Sequence, residues 1–255
     1  MKKKKLSKPA HPERAPWDIV SEVLKMLRHE AKVGRRLIDL NAEAENLIIM
    51  LGGESINKGY SLNGLPPFPA AVCMSVNSVI AHGIPTEYAL RDGDLVSFDL
   101  GVRKDGVCGD AALTVGIGSI AKRDARLLET AREALQRGIE VVRPGIPVRE
   151  IGYAIASYVL RRGCVVNHSF CGHGIGAEMH MKPDIVHYFD DRIQDTLSEG
   201  MMICIEPMVT ESDKWGVRMP NGWTFVTKNG RNSAVFEHQI LVTHDGFEIL
   251  SSWDK

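Results

Sequence analysis

The amino-acid sequence predicts a single domain of helices and antiparallel strands, built from two related halves with one site between them. Three observations carry this expectation. A chain of 255 residues is long enough to remove about three-quarters of its unfolded surface from water in one core. The chain also resembles itself: Glu22-Val-Leu-Lys through Val33-Gly34-x-x-Leu37 lies over Glu133-Ala-Leu-Gln through Pro144-Gly145-x-x-Val148. Finally, the strands that follow these segments carry acids at matching positions in otherwise apolar runs.

Composition narrows the class of protein. Hydrophobic residues at 44% and charged residues at 25% exclude a disordered, collagen-like or coiled-coil chain. Lysine plus arginine, 31, nearly cancels aspartate plus glutamate, 32, which argues against a protein whose whole surface grips nucleic acid and against a DNA partner, and leaves room for a local basic patch. Apolar runs such as residues 47–51 fall far short of the ~18 to 20 residues of a membrane span. Five cysteines without a Cys-x-x-Cys suit reduced thiols in the cytoplasm better than a disulfide framework.

The elements follow in chain order. Residues 1–15 read as a basic solvated tail, because Lys8, His11, Glu13 and Arg14 stand where a secretion signal needs an apolar core. Residues 16–255 form the domain, its halves dividing near residue 120. A first helix starts near Pro16 and is expected to be short. Val20, Val23, Leu24 and Leu27 line one face of it, Gly34 breaks it, and a second helix follows. Arg91-Asp-Gly-Asp-Leu-Val-Ser-Phe-Asp99 is a strand, with Val96 and Phe98 on one face and Ser97 and Asp99 on the other. Residues 99–115 read as a hairpin turning at Lys104-Asp-Gly106, with Asp110 at the start of its second strand. That hairpin disfavours a dinucleotide site at Gly116-Ile-Gly118, which needs a strand-helix-strand unit. In the second half, helices flank Gly145, and Ile151, Ile155, Tyr158 and Val159 recur at helical spacing. Ser198-Glu-Gly-Met-Met-Ile-Cys-Ile-Glu206 repeats the first acidic strand, with Cys204 and Glu206 on its polar face; Glu237 opens a further strand.

Equivalent positions of a duplicated fold meet near its pseudo-twofold axis, so Asp99, Asp110, Glu206 and Glu237 are expected at one site. Two carboxylates ~4 Å apart repel by roughly 4 kcal/mol at an effective dielectric near 20, so four together call for cations. Two divalent ions balance four carboxylates, and the oxygen-rich set with one nitrogen suits Mn, Fe, Co or Zn. The nitrogen comes from His173 or His82, each in a His-Gly-Ile tripeptide whose glycine permits a tight backbone setting. A paired-metal site lowers the pKa of a bound water to about 7 and polarises a carbonyl, which points to hydrolysis of an amide or ester.

The ordered series Asp99, Asp110, His173, Glu206 and Glu237, with His82-Gly-Ile-Pro and His173-Gly-Ile-Gly-x-x-x-His180, resembles type I methionine aminopeptidases over about residues 17–250. The resemblance implies an α+β pita-bread fold, a curved antiparallel sheet with helices outside it. It further implies removal of the initiator methionine from a nascent chain whose next residue is small. By the same resemblance, all five residues of the series ligate metal: Asp99 is a bidentate ligand, Asp110 and Glu237 are bridging carboxylates, and His173 is the one nitrogen ligand. Glu206 is in addition a general base, His180 steadies the oxyanion, and His82 binds at the scissile nitrogen. Cys73, Phe170, Met179 and Trp223 form the methionine pocket.

Rival readings are a prolidase or aminopeptidase P of the same fold, cutting Xaa-Pro bonds, and a non-catalytic binding module. The lysines at positions 2–5, with Lys214, Arg218, Lys228 and Arg231, suggest transient contact with the ribosome.

Overall fold

The computed structural model describes residues 15–62 and 64–253; the rest of the basic tail expected over residues 1–15 lies outside them. The first half contains α1 (Pro16–Glu30), α2 (Leu37–Met50), β1 (Glu54–Ser55), β2 (Cys73–Val76), β3 (Val79–Ala81), β4 (Leu95–Lys104) and β5 (Val107–Gly116). The second half contains α3 (Lys122–Glu140), α4 (Arg149–Arg161), β6 (Val165–Val166), β7 (Gly172–Gly174), β8 (Met181–Ile185), β9 (Met202–Ile205), β10 (Met208–Thr210), β11 (Val217–Arg218), β12 (Phe225–Val226), β13 (Ser233–Val235), β14 (His238–Val242) and β15 (Phe247–Ile249).

Both repeated segments fold as helix, glycine turn and helix, with Gly34 and Gly145 at φ of 88° and 84°. The first helix begins at Pro16 as expected but runs 15 residues, longer than the short helix its sequence suggests. Its start is fixed by Pro16 at the first helical position and by Asp18, whose carboxylate accepts the Ala15 N–H at 3.0 Å. Its length follows from the unbroken apolar stripe Ile19, Val20, Val23, Leu24 and Leu27, all fully buried in the main core. The approach is close: a Cβ on Gly109 of β5 would lie 2.5 Å from the Trp17 backbone nitrogen.

The strands pair antiparallel in four groups, of which two carry the site. In the first, β4 pairs with β5 through a turn at Asp105 and Gly106, both at positive φ, the two-residue geometry that matches strand twist. Asp110 therefore sits fourth in β5 rather than at a strand start. In the second, the order is β15-β14-β9-β7-β8. The halves meet where β5 runs beside residues 235–239. Thr114 Oγ1 exchanges hydrogen bonds with the Val235 backbone, the Glu237 N–H donates to the Ala112 carbonyl, and the Asp110 N–H donates to Gln239 Oε1.

One buried apolar cluster draws on α1 to α4 and on strands of both halves. Phe98 is its largest fully buried side chain, on the face of β4 opposite Asp99. Truncation by Phe98→Ala is expected to cost about 3 to 5 kcal/mol, read as the loss in unfolding free energy by denaturant titration. A cost below 1 kcal/mol would contradict its place in the core.

Candidate metal centre and cleft

Asp99 reaches the site from β4, where it pairs across to Cys73 of β2 and to Ala112 of β5. Asp110 comes from β5, Glu206 from the residue after β9, and Glu237 from the residue before β14. His173 lies on β7, opposite Cys204 of β9. All four acids and His173 line one cleft that encloses about 150 Å³. His173 Nε2 stands 3.5 Å from Glu206 Oε1 and 3.9 Å from Asp110 Oδ2.

The electrostatics of this cluster are those of acids short of cations. Asp110 and Glu237 are each 2% exposed, and among the described residues neither Lys nor Arg pairs with any of the four. Burial comes first, pushing all four carboxyls up; the charges of the neighbouring acids add to it for Asp110, Glu206 and Glu237. Asp99 rises to about 6. Asp110 Oδ1 and Glu237 Oε1 are buried with no hydrogen-bond partner. Orphaned carboxylate oxygens aimed into a shared space fit bound divalent cations, which would supply the missing positive charge.

His173 is prepared as a neutral donor. Its Nδ1 lies 2.9 Å from the Gly174 carbonyl, so Nδ1 carries the proton and Nε2 presents a lone pair to the acids. Burial pulls its pKa down to about 4, which keeps it unprotonated at neutral pH. Of the two histidines left open by the sequence, His173 groups with Asp110, Cys204 and Glu237, whereas His82 groups with Cys73 and Asp99. The glycines after both histidines are required by close approach. A Cβ on Gly83 would lie 2.2 Å from the Met74 carbonyl, and one on Gly174 would lie 2.4 Å from that of Lys182.

Every side chain that the sequence assigns to the catalytic site or its apolar pocket lines this cleft: Cys73, His82, Phe170, Met179, His180 and Trp223 join Asp99, Asp110, His173, Glu206 and Glu237. His82 is pulled down to about 4, by burial first and then by the charges of His180 and Arg218. His180 is lowered by burial, and its Nδ1 lies 2.9 Å from the Tyr60 hydroxyl. With that hydroxyl as donor, His180 Nε2 carries the proton and can donate into the cleft. Cys73, Phe68, Ala70 and Trp223 form a small apolar cluster, and the Trp223 indole N–H donates to the Pro66 carbonyl at 2.8 Å.

Several contributors were not singled out from the sequence. Tyr60, Asn57 and Leu62 reach the cleft from a loop between β1 and β2 that no repeat signal marks. His187 Nε2 accepts the Glu206 backbone N–H at 3.2 Å, and its only trace in sequence is a histidine ending an apolar run. Cys204 is fully buried, its thiol grouped within 4.8 Å of ligand atoms of Asp110, His173 and Glu237. Its pKa is raised by burial and by Glu237, Asp110 and Glu206, which keeps the thiol protonated.

The raised carboxyls make a stability prediction for the metal-free chain. Between the ordinary 3.8 and about 6, folded Asp99 holds a proton that the unfolded chain has released. Its contribution is therefore full below 3.8 and is lost as pH rises through about 6. In chelator-treated protein, Asp99→Asn is expected to raise Tm over the parent more at pH 7.5 than at pH 4.5, read by thermal melts. An equal change at both pH values would contradict the burial of an ionised Asp99.

Residues 14–244 match the model of metallopeptidase family M24. A methionine aminopeptidase of Helicobacter pylori (strain ATCC 700392 / 26695) is 35% identical over 242 residues, 93% of this chain and 94% of that protein. The crystal structure of methionine aminopeptidase from Thermotoga maritima superposes with a TM-score of 0.90 at 33% identity, covering 97% of this chain and 98% of that one. The prolidase of Pyrococcus horikoshii OT3 shares the fold at a TM-score of 0.73 and 23% identity, over 94% of this chain and 60% of that one. With its α+β pita-bread fold and its buried acidic cluster, the chain belongs to metallopeptidase family M24 and, within it, groups with the methionine aminopeptidases.

Proposed function

We propose that this chain removes methionine from the N-terminus of polypeptides whose second residue is small, using two divalent metal ions held by Asp99, Asp110, His173, Glu206 and Glu237. The observation that carries this reading is the convergence of four carboxylates without a Lys or Arg partner among the described residues, two of them buried with orphaned oxygens, and one neutral imidazole in a cleft that also has an apolar end. Two ions of the Mn, Fe, Co or Zn kind supply a water of lowered pKa and an electrophile for the scissile carbonyl.

The chain's own groups do the rest. Glu206 takes the proton of the attacking water and passes it to the leaving amine, a role suited to a carboxylate within hydrogen-bond reach of that water. His180, oriented by Tyr60, donates from Nε2 to the developing oxyanion. His82, held neutral by burial, meets the scissile amide nitrogen. Cys73, Phe170, Met179 and Trp223 receive the methionine side chain, since aromatic and sulfur-bearing walls attract a polarisable thioether.

Met-Ala-Ser is expected to lose its methionine when Mn or Co is supplied, while a Xaa-Pro peptide stays intact, as read by amino-acid release; the reverse preference would sink the assignment in favour of a prolidase. Glu206→Gln is expected to abolish turnover while the chain still unfolds cooperatively, with a melting temperature in chelator no lower than the parent's. Near-normal turnover would remove Glu206 from its role.

No helix among the described residues is long and apolar enough to cross a membrane. A cytoplasmic location belongs to the proposal, supported by five free cysteines. Ribosome contact belongs to it as well, with a narrower basis than the sequence offered. Arg231 is paired with Glu211 and Arg218 lies over the Phe225 ring, which leaves Lys214 and Lys228 as exposed lysines of that loop. Charge reversal at both is expected to reduce co-sedimentation with ribosomes at low salt, and unchanged co-sedimentation would remove this part.

A further inference from the structure

A row of side chains in edge-on and cation–ring contact runs from His82 in the cleft wall to Arg218 at the surface. The Phe170 ring, part of the cleft wall, meets His82 edge-on with centroids 5.2 Å apart. Phe225 of β12 meets Phe170 with centroids 4.9 Å apart, and the Arg218 guanidinium lies 5.2 Å above the Phe225 ring. The backbone enforces the row. Arg218 pairs directly with Phe225, β12 pairs with β3, which precedes His82, and the Thr224 hydroxyl donates to the His82 carbonyl at 3.2 Å.

Arg218 is a cation without a counterion. It is exposed, and among the described residues no carboxylate forms an ion pair with it. Its strand, β11, is the edge of the group β11-β12-β3, so one side of that backbone is open to an extended chain. The neighbouring Val217 and Met219 are 45% and 41% exposed. Its charge is also felt at His82, the third cause of that histidine's lowered pKa. The wall opposite in character, the acidic cluster, lies at the inner end of the same cleft and suits the positive end of a substrate.

We propose that Arg218 is a specificity-determining residue that recognises an acidic side chain in the third to fifth residue of the polypeptide being trimmed. This rests on the aminopeptidase reading, since a chain held by its first residue in the cleft must leave past the rim. An extended chain advances ~3.3 Å per residue. Three contacts of about 5 Å join His82 to Arg218, so the guanidinium lies no farther from His82 than the first four or five residues of an extended chain can reach. The Phe225 ring restrains the guanidinium from one side, which leaves its N–H groups to meet a carboxylate.

The test compares amidated hexapeptides beginning Met-Ala, with Glu, Ser or Lys at positions three to five. Amidation matters because a free terminal carboxylate would itself be a ligand for Arg218. With the metal-loaded parent, kcat/KM is expected to rank Glu above Ser above Lys, with about two- to five-fold between steps, the scale of one exposed charge pair. Raising salt compresses the ranking, Arg218→Glu reverses it, and Arg218→Lys keeps its order. Equal ratios in the parent and in Arg218→Glu overturn the inference while leaving the aminopeptidase reading intact. Failure of the parent to release methionine from any peptide removes both.

Discussion

The constraint on which the rest of this structure depends is the mutual repulsion of four carboxylates gathered in one cleft, two of them buried. Without cations, Asp99, Asp110, Glu206 and Glu237 would push their strands apart or take up protons: burial raises all four pKa values, and the neighbouring acids raise those of Asp110, Glu206 and Glu237 further. The fold opposes the repulsion with backbone. Each acid is carried by a strand or a strand end, and the apolar faces of β4 and β9 are locked into the core by Val96, Phe98, Ile203 and Ile205. The cluster is thus held in place by side chains that face away from it, and cations relieve what remains.

The seam between the halves shows how the strands are kept in register where the regular ladder gives out. Beside Glu237 the pairing is backbone to backbone, but two residues on, the Gln239 side chain stands in for the peptide group. It accepts from the Asp110 N–H at 3.1 Å and donates to the Cys108 carbonyl at 3.3 Å. A fully buried amide that satisfies two backbone groups of the opposite half fixes Asp110 laterally. Histidines complete the frame: His187 takes the Glu206 N–H, and Gly174 orients His173.

Much of this was legible in the sequence because duplication writes the same constraint twice. The paired helices around Gly34 and Gly145, the turn at Lys104-Asp-Gly106 and the alternation that turns Phe98 inward and Asp99 toward the cleft follow from spacing and residue type alone. The length of α1 was misjudged, since the stripe from Ile19 to Leu27 is stabilised by packing that an isolated segment does not display. Tyr60, Leu62 and His187 were hidden for a related reason. Their roles come from contacts with residues distant in the chain, as between Tyr60 and His180, and the loop that carries Tyr60 has no counterpart in the other half to flag it.

The connection of Trp253 to Glu237 bears on the order in which the molecule can be completed during synthesis. Its indole N–H donates to the Glu237 carbonyl at 2.9 Å, its ring stacks on His238, and its own carbonyl accepts from Arg28 of α1 at 3.2 Å. The Ser252 N–H donates to Ser21 Oγ at 2.7 Å, so the last described residues close a ring through the first helix and the last acid of the cluster. A growing chain that has emerged only as far as β13 has Asp99, Asp110 and Glu206 but neither Glu237 nor this clasp. The charged cavity therefore comes into being late, after the apolar faces that restrain it are already available to fold.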